Sequence, residues 1–415
     1  MNEEDLIHAV DERRCLEFLS YMVQQKSYPA TDGERRLAGF MVDQMCKLGF
    51  QAELQPVGSD RFNAIGRLPG TGGGKSLLFN GHLDTNPVGE GWTVDPWGGL
   101  VDEKFIYGIG VSNMKAGDAA YFCAVKTLLD HGIRLKGDVV LTFVVGELQG
   151  GIGTLEAIRQ GTTADYFINS EPTDLRAMTM HAGTFTFLIK LFGQSRHLSK
   201  REEAVDAIAA ACELIPSINA LSFKHAKSLA HHSINRCHVG VMHSALGKDL
   251  YEWRPQQVAD YAKIEGSGRF APGQTADGAI EDIRAVLREI ENRFPGLKSE
   301  ILSGYDAYER PIMPPFEVSE KSPIVRSLNA AYRLVRGEEQ PTGVIVPASF
   351  YGTDAGHFYQ ELGMEGVVCG PGGRYNTMPD ERVDICDFLD MIRIYMQVIL
   401  DVCTVAERAS DSGPS

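Results

Sequence analysis

Residues 76–85 read SLLFNGHLDT. The run Ser76–Asn80 is short and mostly apolar, and it ends at a glycine, a histidine and, two residues on, an aspartate. An apolar run of this length fits a strand buried on both faces, as in a sheet covered by helices. Side chains two apart on an extended segment point the same way. His82 is therefore read as a metal ligand through one ring nitrogen, and Asp84 as the carboxylate that holds the other nitrogen and fixes its tautomer.

Working outward, Asp138–Val145 and Asp165–Asn169 repeat the buried-strand pattern, and residues 115–131 read as a helix between two such strands. Strands alternating with helices give an α/β fold with a central mixed sheet flanked by helices. Upstream, one helix is expected over 3–24, with Leu6, Val10 and Leu19 on its apolar face. A second starts at Thr31, spaced from Glu34 as a capping box, and stops at Gly49. The glycine-rich stretch at 70–74 reads as a flexible turn.

After residue 180 the pattern changes. HAGTFTFLIKLFG, 181–193, alternates like a half-buried antiparallel strand. A helix at about 202–214, further strands and a helix at 276–293 follow. This reads as an inserted α+β domain, 181–308, between a first part of the α/β domain, 1–180, and a second, 309–415, which closes on a helix at 386–403.

The 415 residues suit two domains. A formal charge of −15 speaks against nucleic acid and anionic membranes as partners, since both select basic surfaces. No apolar run approaches the roughly 18–20 residues of a membrane span. The opening MNEEDLIHAVDERRC lacks the basic flank and apolar run of a signal peptide. A cytoplasmic location is expected. The eight cysteines include no CxxC pair and read as small buried hydrophobes.

Four more segments carry chemistry. In GIGVSNMKAG, 108–117, Asn113 offers a neutral oxygen to a cation or else caps the following helix. In VVGELQGGIGT, 144–154, Glu147 stands at a strand end before a glycine-rich turn. A half-buried carboxylate there can have a raised pKa and act as a general base; otherwise it is a loop carboxylate. Glu171 follows the strand in INSEPT, 168–173, and GPGGRYNTMPDERV, 370–383, is a tight loop near the C-terminus.

Together with WTVDPWGG at 92–99, the GxGxxxxK loop at 108–115 and TDAG at 353–356, these segments resemble the co-catalytic zinc metallopeptidase family of aminoacylase, acetylornithine deacetylase, succinyl-diaminopimelate desuccinylase and carboxypeptidase G. The resemblance covers nearly the whole chain. It implies a catalytic α/β domain split by a dimerisation lid, hence a homo-oligomer that is at least a dimer. It casts Glu147 as catalytic base and Asp84 as the orienting carboxylate. His197, in GQSRHLS, matches the lid histidine that reaches the partner subunit's site and stabilises the oxyanion. Arg269, in GRFAPG, matches a lid arginine that binds substrate carboxylate.

The resemblance also exposes departures. The family holds two zinc ions. Here the bridging aspartate is Asn113, the carboxylate after the base is Leu148, and the C-terminal histidine is Thr377, with Asn376 as the alternative occupant of that position. Leucine cannot ligate, and threonine ligates poorly. The expected metal set is His82, Asn113 and Glu171, with Thr377 left to contact substrate. One divalent ion, manganese or zinc, would be held loosely by a set with a single anionic ligand. A binding homologue without chemistry is the competing reading, but retention of Glu147, Asp84 and His197 favours an enzyme. The expected activity is hydrolysis of a C–N bond in a small carboxylate-bearing molecule. The resemblance extends to the 5-nitroanthranilate aminohydrolase branch, whose substrate would itself help bind the ion. The alternative is an N-acyl-amino-acid amidohydrolase or carboxypeptidase.

Overall fold

The computed structural model describes residues 6–406 apart from 253 and 309. The chain divides into two compact units. The first comprises Met1–Met180, Glu317–Ala348 and Thr353–Ser415; the second comprises His181–Phe316 and Ser349–Gly352. The later boundary thus falls at Glu317 rather than 309, and a four-residue stretch returns to the second unit.

The first unit is built on nine strands: β1 (Gln51–Val57), β2 (Arg61–Leu68), β3 (Leu77–His82), β5 (Val139–Val144), β6 (Tyr166–Asn169), β7 (Ala177–His181), β12 (Phe316–Glu317), β13 (Thr342–Val344) and β14 (Glu365–Val368). Their order is β1-β2-β5-β3-β6-β14-β7-β12, with β13 beside β7. Strands β5, β3, β6 and β14 run parallel, and β1 and β2 join antiparallel at one edge. Every residue of β3 and β5 is buried, which is why both are short and largely apolar. A separate pair, β4 (Phe105–Tyr107) with β15 (Arg382–Asp384), ties the C-terminal loop down.

Helices flank this sheet: α1 (Glu12–Val23), α2 (Asp32–Lys47), α3 (Ala116–Asp130), α4 (Ile152–Arg159), α9 (Pro323–Arg336), α10 (Ala355–Leu362) and α11 (Ile385–Cys403). Phe79 of β3 packs on Tyr121 of α3 and Tyr395 of α11, while its neighbour Asn80 turns the other way to Thr154 of α4. The central sheet is therefore sandwiched.

In this unit one helix start and one helix cap differ from expectation. Helix α1 begins at Glu12, because the Asp11 carboxylate accepts the Arg14 N–H at 3.1 Å and caps a fresh start there. Residues 3–5 of the expected helix lie outside the described residues. The capping box at Thr31 does not form. Arg61 draws the Glu34 carboxylate into a buried ion pair, and Glu34 accepts from Ala30 N rather than Thr31 N.

The second unit carries an antiparallel sheet in the order β11-β8-β10-β9. Its strands are β8 (Gly183–Phe192), β9 (Arg236–Ala245), β10 (Tyr261–Phe270) and β11 (Lys298–Ser303). The alternation in β8 buries Phe185, Phe187, Ile189 and Leu191 against α5 (Ala207–Asn219) and α7 (Ala276–Arg293). Short helices α6 (Leu229–Ser233) and α8 (Tyr305–Tyr308) complete it. Helix α5 starts five residues later than 202, since Asp206 accepts the N–H groups of Ile208 and Ala209.

Candidate metal centre

His82 ends β3 and is 1% exposed. Its Nδ1 lies 2.9 Å from the backbone oxygen of Asp84 and donates to it. Nε2 then faces Asn113 Oδ1 at 2.8 Å, Glu171 Oε1 at 3.5 Å and Glu147 Oε2 at 3.9 Å. One donor atom each from His82, Glu147 and Glu171 lies within 4.8 Å of the others. The structure thus brings four of the expected site residues, His82, Asn113, Glu147 and Glu171, to one point at the carboxyl ends of β3, β5 and β6.

Asp84 acts differently from expectation. Its carboxylate is 3.6 Å from His82 Nδ1, and the imidazole is held by the Asp84 carbonyl instead. The strand stops at His82, so the two-residue alternation no longer governs residue 84. The carboxylate instead accepts the N–H groups of Gly146 (2.9 Å) and Leu148 (3.2 Å), straddling Glu147. Asp84 therefore positions the turn of Glu147.

That turn needs its glycines. Gly146 and Gly151 both have φ of 77°, and a Cβ on Gly151 would come within 2.6 Å of Asp354 Oδ1 and of His357 Nε2. His357 Nε2 donates to Gly150 O at 2.9 Å, and burial lowers its pKa to about 4, so the ring stays neutral.

Asn113 lies in the wide helical turn Val111–Lys115, which precedes α3. It does not cap the helix. The buried carboxylate of Glu381 accepts the N–H groups of Ser112 (2.9 Å) and Asn113 (3.1 Å) and fixes the turn. Asp380 beside it accepts from Thr93 N and Oγ1. The motif PDE is visible in the sequence, but nothing local reveals that its carboxylates grip segments about 270 to 290 residues away.

The electrostatics call for a cation. Burial alone would lower the His82 pKa, but Glu171, Asp84, Glu147 and Asp118 outweigh it and push the imidazole up to about 10. Burial raises Glu147 well above the usual carboxylate range, with Glu171 adding to it and His82 opposing. Glu171 is raised by burial too, and its Oε1 is enclosed without a hydrogen-bond donor. A buried imidazole nitrogen, two carboxylate oxygens and an amide oxygen converging on one point fit a divalent transition metal. Glu147 brings a second anionic oxygen to the cluster, beyond the single one expected.

Two further carboxylates escaped the sequence reading. Asp118 in α3 is fully buried beneath Gly81 and accepts from Tyr121 Oη at 2.9 Å. An acidic residue within the apolar stretch AGDAAYF was its only signal. Asp354, in TDAG, is 1% exposed, and burial raises its pKa to about 7, opposed first by the Thr154 hydroxyl.

The second-ion positions look different. Leu148 offers only its backbone N–H, to Asp84. Thr377 is exposed, with φ of 53°, whereas Asn376 is half-buried with its Oδ1 enclosed. In the second unit, His197 Nδ1 accepts from Ser199 N at 3.2 Å, which leaves the ring proton on Nε2. Arg269 donates to Phe350 O, Gly268 O and Ser267 Oγ within that unit.

A sandwiched α/β sheet with an acidic, histidine-bearing cluster at its strand ends has the form of a metal-dependent hydrolase. The chain belongs to the peptidase family M20/M25/M40, whose model matches residues 78–401. It is 27% identical over 419 residues to N-formyl-4-amino-5-aminomethyl-2-methylpyrimidine deformylase of Bacillus subtilis (strain 168), covering 93% of each chain. It is 27% identical over 411 residues to acetylornithine deacetylase of Proteus mirabilis (strain HI4320), covering 95% of this chain and 98% of that one. Among solved structures, a tripeptidase from Staphylococcus aureus matches with a TM-score of 0.77 at 19% identity, covering 95% of this chain and 99% of that one. A dinuclear metal-binding peptidase of the family from Bacillus subtilis matches at 0.64 and 16% identity, covering 95% and 100%. The chain is a metal-dependent hydrolase acting on carbon–nitrogen bonds. No described helix is long and apolar enough to cross a membrane.

Proposed function

We propose that the chain hydrolyses the amide bond of a small N-acyl compound at a single divalent ion. The observation that carries this is the convergence of His82, Glu147 and Glu171, while the two positions that would serve a second ion hold Leu148 and the exposed Thr377. The names of the relatives, a deformylase and a deacetylase, favour an N-acyl substrate over the aromatic amine suggested by resemblance.

A bound ion supplies positive charge that polarises the scissile carbonyl and eases ionisation of water. Glu147 takes the proton of that water and returns it to the leaving nitrogen, as suits a buried carboxylate of raised pKa. Asp84 keeps the Glu147 turn in place. His197 of the partner subunit presents its Nε2 proton to the developing oxyanion. Pairing through the second unit is supported by β9, an edge strand with Val241 and Met242 exposed.

The test is a hydrolysis screen of N-formyl and N-acetyl amines, N-acyl amino acids and aminobenzoates, with manganese, zinc or a chelator. N-acyl hydrolysis that the chelator abolishes is expected. Turnover of aminobenzoates alone would replace the amide reading. Elemental analysis should find at most one ion per chain, and two tightly held ions would overturn the single-ion site.

A further inference from the structure

We propose that Asn80 is the positioning residue of the metal centre, its carboxamide joining the three strands that carry His82, Glu147 and Glu171. The inference rests on the metal reading above. Asn80 is fully buried on β3, two residues before His82 and on the same face. Register places Thr142 of β5 opposite it on one side and Asn169 of β6 on the other. Asn169 Nδ2 donates to Asn80 Oδ1 at 2.7 Å. Asn80 Nδ2 donates to Thr142 Oγ1 at 3.1 Å and Thr154 Oγ1 at 3.3 Å. Thr142 Oγ1 donates in turn to Phe79 O at 3.0 Å.

Each partner leads to a donor of the cluster. Asn169 stands two residues before Glu171. Thr142 lies on the strand that delivers Glu147. Thr154 opens α4, the helix that leaves the Glu147 turn. All four side chains are at most 1% exposed. The backbone ladder between parallel strands is indifferent to side-chain identity, so it holds strands together without choosing among close settings. A polar rung buried in an apolar sheet does choose, because a shift strands several buried groups without partners. The rung lies one residue pair beneath His82 and Glu171, where a small displacement is passed directly to their spacing.

The experiment compares full-length wild type, N80L, T142V and T154V by calorimetric titration with manganese and zinc, beside thermal melts of the metal-free proteins. H82A serves as the site control. N80L should weaken metal binding by roughly 10–100-fold, the range for residues that orient ligands. T142V and T154V should each weaken it by a smaller factor. Wild-type affinity in N80L, with only a lowered melting temperature, would make the rung a matter of sheet stability and overturn the inference. If N80L fails to fold, unchanged affinity in both threonine variants overturns it. A wild type that takes up neither metal, or takes it up as H82A does, overturns the metal reading instead.

Discussion

Glu147 is both one of the cluster's possible donors and the candidate proton carrier. Glutamine keeps its shape and one neutral oxygen but cannot take a proton. Glu147→Gln should lower kcat by at least about a hundredfold while weakening metal binding less than Glu171→Gln does. Parallel kinetics and metal titrations check this, and equal losses of affinity would make Glu147 chiefly a ligand. His82 gives a pH prediction. In the metal-free protein its pKa stands near 10 against an ordinary 6.5. Its contribution to stability is then complete below about 6.5 and lost as pH rises through about 10. An ion held by His82 Nε2 would displace its proton, so metal affinity should rise with pH over that window and each binding event should release a proton. Titrations in buffers of different ionisation enthalpy measure that release. At this scale the sequence was informative about residue type: His82, Glu147 and Glu171 announce themselves at strand ends, and Asn113 in the loop before a helix. It was silent on Asp84's real partner, because the course of the chain beyond His82 is decided by the Glu147 turn that Asp84 grips.

At the scale of elements, β3 and α3 meet with no spare room. A Cβ on Gly81 would lie 2.0 Å from Asp118 Oδ1 and 2.8 Å from Met114 Cε. The methionine tip can move, but the aspartate is held by Tyr121. Gly81→Ala should therefore cost about 1–3 kcal/mol of stability, as overpacking does, and weaken metal binding by displacing His82. Chemical denaturation and metal titration read the two effects, and a neutral result in both would mean that α3 yields freely. Strands β3, β5, β6 and β8 and helices α3, α7 and α11 were legible from apolar period. The turns at 110–115 and 146–151 were not, since Glu381, Asp84 and His357 shape them from remote parts of the chain.

For the molecule as a whole, the catalytic proposal divides labour between copies of the chain. In that proposal Glu147 serves its own site, whereas His197 serves that of the partner. His197→Ala and Glu147→Gln should each be nearly inactive alone. Mixed after dissociation and reassociation, they should regain activity, because the hybrid holds one site with both groups intact. Failure to regain activity despite verified hybrids would place His197 in its own subunit's site or outside the reaction. The change of pattern after residue 180 made the insertion legible. The return of Ser349–Gly352 to the second unit was not, since four residues carry no period.

The strand order has a consequence for how the chain is made. Strand β14 belongs beside β6, yet nearly 200 residues separate them in sequence. At ribosomal rates of about 5–20 residues per second, roughly 10–40 s pass before β14 is synthesised. Through that interval the strand leading to Glu171 has an uncovered edge, open to pairing with a neighbouring nascent chain. Yield of this protein in cells should therefore depend on chaperone supply and synthesis rate more than on the stability of the finished fold.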